Sequence, residues 1–270
     1  MTATESDSAT SRLPPKPRPS TFAVGTTVLA IVVTIITAID VNFSLADGIR
    51  NLANKNSVIE GLLDPDWGQL WSRRSREAFI ETFQLAVLGT ALGAPVALVL
   101  ALWSTRFGNP NFWLRGMVRT FNNVNRAIPD LLWALIWVSA VGIGNLPGLL
   151  ALFFFTLAVT TKLTGDTLEA VDRGPIEAAD ASGATTTEML RTAVVPQILP
   201  SYSSFVLYNF ELNLRASAVI GLVGAGGLGQ RIDFFRNRGE WSELWGLVVM
   251  FFLVVFLVER LSVSLRRRLV

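Results

Sequence analysis

Residues 22–39 form an 18-residue stretch without a single charge, and a helix that crosses a bilayer core needs about 20 mostly apolar residues. Five further apolar runs follow. Residues 83–103 are interrupted only by small or polar residues and Pro95, and residues 128–143 carry Asp130 close to their start. Residues 146–163 include Phe153, Phe154 and Phe155 in succession. Residues 202–223 are less apolar, with Asn209, Glu211, Asn213 and Arg215, and residues 244–261 are uncharged until Glu259. The pattern predicts an all-α membrane protein with about six transmembrane helices. Composition agrees through its charge deficit: 16% of residues are charged, against about 25% in soluble domains.

The chain has no histidine and no cysteine. That excludes Cys/His zinc sites, histidine-ligated haem, Cys–His and Ser–His nucleophiles and disulfide frameworks. No metal site and no catalytic residue is expected. The formal net charge of +2 is too even to indicate nucleic acid, so the expected surroundings are membrane lipid.

Residues 1–20 are rich in Ser, Thr and Pro and read as a disordered tail. Residues 21–41 read as an uncleaved first transmembrane helix, because the apolar run is longer than a signal-peptide core and lacks a small-residue cleavage site. Residues 42–78 form an extracytoplasmic segment in which Trp67, Leu70 and Trp71, at i, i+3 and i+4, suggest a helix lying at the interface. Residues 79–264 hold the other five helices, and residues 265–270 form a basic tail. Lys and Arg set orientation. With the N-terminus inside, 14 of them fall in inside segments and 8 in outside ones, which predicts both termini in the cytoplasm. Arg73, Arg74 and Arg76 count against that bias.

The loop over 165–197 carries helix punctuation. Gly174-Pro175 opens, and Gly183 closes, a segment of about eight residues containing Glu177, Ala178, Ala179 and Asp180. Pro at the first helical position and Gly past the last are start and stop signals, and the acids suit the positive end of the dipole. The alanines leave a slim surface able to enter a groove on a partner. Thr185 to Glu188 then reads as a capping box opening a second helix that runs to Pro196.

Glu177-Ala178-Ala179, Gly183, Ala193 and Val195-Pro196 at this spacing resemble the EAA signature of ABC-importer permeases. Ala193 and Val195 depart conservatively from its usual Ile-x-Leu-Pro ending. The stretches 125–134, 194–200 and 208–229 are similar to phosphonate-type permeases, and the likeness covers roughly 80–265. The resemblance implies a type I importer permease fold with a short cytoplasmic coupling helix, in a bacterial cytoplasmic membrane. It also implies a homodimer, two copies of a cytoplasmic ABC ATPase that binds ATP and Mg, and an extracytoplasmic phosphonate-type binding protein. The implied role is translocation of phosphonate or a related phosphorus oxyanion by alternating access, with no cofactor in this chain and no catalysis by it. The coupling contacts would be Glu177, Ala178, Ala179, Asp180, Gly183 and Pro196.

Charges inside a membrane need partners. Glu211 and Arg215 stand four residues apart and can neutralise each other. Asn209 and Asn213 form a second such pair on another face, so this helix is expected to be enclosed by protein. Asn209, Asn213 and Arg215 either border the path of an anion or tie helices together. Asn122, Asn123, Asn125 and Arg126 form an amide-rich stretch before the third span, suited to weak oxyanion contacts or equally to an ordinary loop. Lys162 and Asp166 form a local i, i+4 pair. Gly224, Gly226 and Gly229 satisfy G-x-G-x-x-G but follow a span rather than a strand; close packing or a hinge is the better use for them. No G-x-x-x-x-G-K-[ST] occurs, so ATP is expected to be hydrolysed on another chain. A channel has no use for the EAA loop, a membrane enzyme lacks the catalytic groups, and a secondary transporter would need an inverted repeat, which is not visible.

Overall fold

The computed structural model describes residues 20–41, 44–54 and 56–268. The expected tail therefore lies outside the described residues except for Ser20, as do the last two residues. Contacts divide the chain at residue 56. The first unit holds α1 (Thr21–Asp40) and α2 (Leu45–Asn54). Ser20 caps α1 by accepting from the amide of Ala23, and Thr27, Thr34 and Thr37 each donate to a carbonyl four residues back. Their hydroxyls are thus satisfied within the helix, as a lipid environment demands.

The second unit comprises α3 (Asn56–Leu63), α4 (Arg73–Trp103), α5 (Phe112–Ala127), α6 (Asp130–Val141), α7 (Asn145–Glu169), α8 (Gly174–Ala181), α9 (Thr186–Met189), α10 (Val195–Gly221), α11 (Gly227–Arg238) and α12 (Trp241–Arg266). The expected interfacial segment is a 3-10 turn over Trp67–Trp71. Both tryptophans are exposed.

Among the described residues, α1, α4, α7 and α12 are long and apolar enough to cross a membrane. The third expected span, 128–143, is α6, of 12 residues, roughly 18 Å of helix against a hydrocarbon core of about 30 Å. It is preceded by α5, from which it is bent by 92°. The break falls at Ile128-Pro129. Proline excludes the residue before it from the helical region, and Ile128 is extended, with φ −88° and ψ 118°. The fifth expected span is α10, 27 residues long, with Asn209, Glu211 and Asn213 buried along it.

Small residues decide how the long helices approach. Gly89, Gly93 and Ala97 of α4 face Leu152, Thr156 and Thr161 of α7 in parallel register. A Cβ on Gly93 would lie 2.6 Å from the Thr156 Cβ. Lipid tails are as apolar as leucine, so close backbone approach and polar contacts hold such helices together. Stacking of Trp133 on Phe154, with centroids 4.5 Å apart, seats α6 against α7. The glycine cluster after α10 serves close packing, as expected. Gly226 has φ +83°, and a Cβ on Gly229 would sit 2.0 Å from the carbonyl oxygen of Ala218.

Gly93→Val is expected to overpack this contact and cost about 1–3 kcal/mol, whereas Gly116→Ala, within α5 and in open space, is expected to stabilise by about 0.4–1 kcal/mol. Thermal unfolding in detergent, followed by near-UV circular dichroism, checks the contrast.

Candidate functional site

The segment between α7 and α10 is helical almost throughout. α8 begins with Pro175 in its first turn and ends at Gly183, φ +77°. Only Ile176 of α8 is buried. It packs with Ala101, Leu168, Ala193, Val194 and Ile198, so α8 lies across the ends of α4, α7 and α10. Glu177, Ala178 and Asp180 are exposed and Ala179 is half-buried. The capping box forms: Thr185 and Glu188 exchange both cap contacts, and these hydrogen bonds hold the Glu188 carboxyl below its usual range. The helix it opens does not stop at Pro196. α9 passes through one π turn, Leu190–Val194, into α10, where Pro196 occupies the first turn. Proline contributes no N–H to this continuous helix, and it follows directly on the π turn, in which the Val195 amide bonds the Leu190 carbonyl five residues back.

Gln197 is a positioning residue that no local pattern in the sequence marks. Its Oε1 accepts from the amide of Asp172 at 3.0 Å, and its Nε2 donates to the Asp172 carbonyl at 3.2 Å and the Ala193 carbonyl at 2.7 Å. The Asp172 side chain in turn accepts from the amide of Gly174. The start of α8 is therefore tied directly to the first turn of α10.

Asn122, Asn123, Asn125 and Arg126 do not form a loop; they occupy the last turns of α5. Asn122 and Asn125 are buried, while Asn123 and Arg126 are exposed. Asn125 Nδ2 donates to the Phe154 carbonyl at 2.8 Å. Asn209 and Asn213 are fully enclosed, as expected of this helix. Asn209 Nδ2 donates to Thr156 Oγ1, and Asn213 Nδ2 donates to Thr90 and Thr156 Oγ1, all at 2.8 Å. These contacts tie α10 to α4 and α7.

The expected Glu211–Arg215 pair does not form. Glu211 Oε1 accepts from Arg266 Nη2 at 2.8 Å, with Glu211 4% and Arg266 23% exposed. Arg215 is exposed and approaches only the backbone oxygen of Glu211, at 3.5 Å. Four residues of spacing permitted the pair, but α12 brings a second guanidinium to the buried carboxylate while Arg215 faces outward.

Asn122 and Asn123 meet α7 around a cavity of about 210 Å³ lined also by Ser104, Arg119, Thr161, Lys162, Gly165, Asp166 and Glu169. The expected Lys162–Asp166 pair is present. Arg119 bonds Glu169 at 3.0 Å and donates from Nε to the Ser104 carbonyl at 2.8 Å. The Asn122 carbonyl oxygen is buried without a partner. The cavity thus gathers two cations, each held by one acid, and two amides. Arg119 also borders a larger groove of about 640 Å³ under α8, with Arg106, Arg173 and Glu177. Among the described residues, no group of three or more acidic side chains is placed to hold a metal.

An all-helical bundle with a short helix lying across the ends of its spans is the architecture of a membrane permease subunit. Two solved structures share it. One of the inward-facing MetNI methionine ABC transporter aligns with a TM-score of 0.64 and 23% identity, covering 73% of this chain and 96% of that one. An amino acid ABC transporter aligns at 0.60 with 20% identity, covering 72% and 95%. Residues 77–270 match the family described as binding-protein-dependent transport system inner membrane component, and the chain belongs to that family. The phosphite transport system permease protein PtxC of Stutzerimonas stutzeri is 36% identical over 226 residues, 83% of this chain and 80% of that protein. The phosphate-import permease protein PhnE of Mycolicibacterium smegmatis is 33% identical over 237 residues, 87% of this chain but 44% of that longer protein.

A double-mutant cycle over Glu211→Gln and Arg266→Gln is expected to give a coupling of about 0.5–3 kcal/mol, and Arg215→Gln to leave stability unchanged. Chemical denaturation in micelles reads both. Zero coupling, or destabilisation by Arg215→Gln alone, would refute the assignment.

Proposed function

We propose that this permease imports a phosphorus oxyanion, such as phosphite, phosphate or a phosphonate, as a homodimer driven by two cytoplasmic ABC ATPases. An extracytoplasmic binding protein delivers the ion. The similarity to phosphite and phosphate permeases over more than four-fifths of the chain carries this reading. The cavity between α5 and α7 supports it. Lys162, Arg119, Asn122 and Asn123 offer N–H donors to tetrahedral oxygens. Because Asp166 and Glu169 already hold the two cations, an anion would meet a weak site, as release requires. Arg126 and Arg215, both exposed, extend the path, while Asn125, Asn209, Asn213 and Glu211 support it through helix contacts.

In this reading α8 is the coupling helix, with Glu177, Ala178, Ala179 and Asp180 facing the ATPase and Gly183 ending the helix. Gln197, beside Pro196, passes its movement to α10. Both termini lie in the cytoplasm.

The test is ATP-dependent uptake of labelled phosphite and phosphate into proteoliposomes holding the full transporter. Glu177→Lys is expected to abolish uptake and weaken retention of the ATPase on affinity resin; normal coupling by this variant would sink the role of α8. Lys162→Gln should lower uptake about tenfold, the worth of one charge-assisted hydrogen bond, with assembly intact. Transport of an uncharged solute instead of these ions would overturn the substrate class.

A further inference from the structure

A half-open pocket of about 690 Å³ lies between α10 and the end of α12, lined by Ser201, Ser204, Phe205, Val263, Arg266 and Arg267. Its depth follows from the helices. Asn213 meets Thr156 at the middle of α7, the residue 156 of a helix that spans Asn145–Glu169. Ser204 and Ser201 stand nine and twelve residues from Asn213 toward the α8 end, roughly 14 and 18 Å along the helix. Half of the hydrocarbon core is about 15 Å, so the pocket sits where acyl chains give way to headgroups.

Its chemistry is two-sided. Arg266 is fixed in place by Glu211 at 2.8 Å and lies over the Tyr208 ring at 5.7 Å, and its buried Nε has no partner. Arg267 is exposed and forms no ion pair among the described residues. Two serine hydroxyls complete the polar rim, and Phe205 and Val263 supply an apolar wall. A soluble anion has no use for that wall, whereas a diacyl lipid does. Basic pockets between spans on the cytoplasmic side suit anionic headgroups.

We propose that the pocket bounded by Ser201, Ser204, Phe205, Val263 and Arg267 binds an anionic phospholipid of the leaflet facing the ATPases, its phosphate on Arg267 and the serines and its chain along Phe205. The site holds α12 against α10 on the α8 side of the Glu211–Arg266 bridge. It rests on the orientation given above and not on the identity of the transported ion.

The chain is placed in nanodiscs of phosphatidylcholine containing three parts in ten phosphatidylglycerol, and co-released lipid is counted by native mass spectrometry. Nanodiscs present the same lipid on both faces, so the outcome does not depend on orientation or transport. Phosphatidylglycerol is expected to be retained over phosphatidylcholine. Arg267→Gln with Ser204→Ala should lower that retention about fivefold, the worth of one arginine at an anionic surface, and Arg267→Lys should restore most of it. Equal retention of the two lipids, or unchanged retention by the double variant, overturns the proposal. Displacement of phosphatidylglycerol by inorganic phosphate would assign a free-phosphate site instead. Loss of dimer in the double variant would assign the face to contact between copies.

Discussion

Asn213 donates from one amide nitrogen to the hydroxyls of Thr90 and Thr156, and Asn209 donates to the same Thr156. All four side chains are almost fully withdrawn from solvent, at the point where α4, α7 and α10 meet. A polar group left bare in hydrocarbon costs several kcal/mol, so these groups hold one another and thereby fix three helices in one register. Gly89 and Gly93 make the contact possible, because any side chain there would hold the two backbones apart. The cavity on α7, the seating of α8 and the position of α12 all depend on that register.

From this centre, two connections lead to α8. One is apolar: Ile176 of α8 is buried against residues of α4, α7 and α10. The other is polar and directional, with Gln197 gripping both backbone groups of Asp172. The segment that opens α8 is therefore joined to α10 by hydrogen bonds as well as by apolar contact. α10 also carries the Glu211–Arg266 bridge, so α12 is bound into the same unit. The broken α5–α6 pair stands apart from that chain of contacts, seated on α7 by stacked aromatic rings and by Asn125.

Much of the 165–197 segment is legible in the sequence because its signals are local. Proline at a helix start, glycine with positive φ at its end and a Thr-x-x-Glu capping box each act within four residues of chain, and all three formed as read. The apolar runs were legible for a similar reason, since lipid imposes length and composition on each span separately. The errors were of two kinds. Residues 122–126 suit an ordinary loop as readily as an oxyanion site in a linear string, whereas they close a helix, α5, that meets α6 at 92°. Glu211 was paired with the nearest arginine in sequence, although a residue 55 positions away makes the bond.

The sequence by itself determined that this chain lives in a membrane, that it builds helices, and where its short exposed helix begins and ends, since those properties follow from hydration, chain length and backbone stereochemistry. Tertiary structure alone decided which polar groups meet. Asparagines on one helix face, an arginine at a chain end and a lysine near a span terminus look equally free in a linear string. Packing made Asn209 and Asn213 a clasp, gave Glu211 to Arg266, and turned Asn122, Arg119 and Lys162 toward one cavity. Hydrogen bonds and ion pairs depend on distances across helices, and those distances are set by small residues whose importance appears only when another helix lies against them.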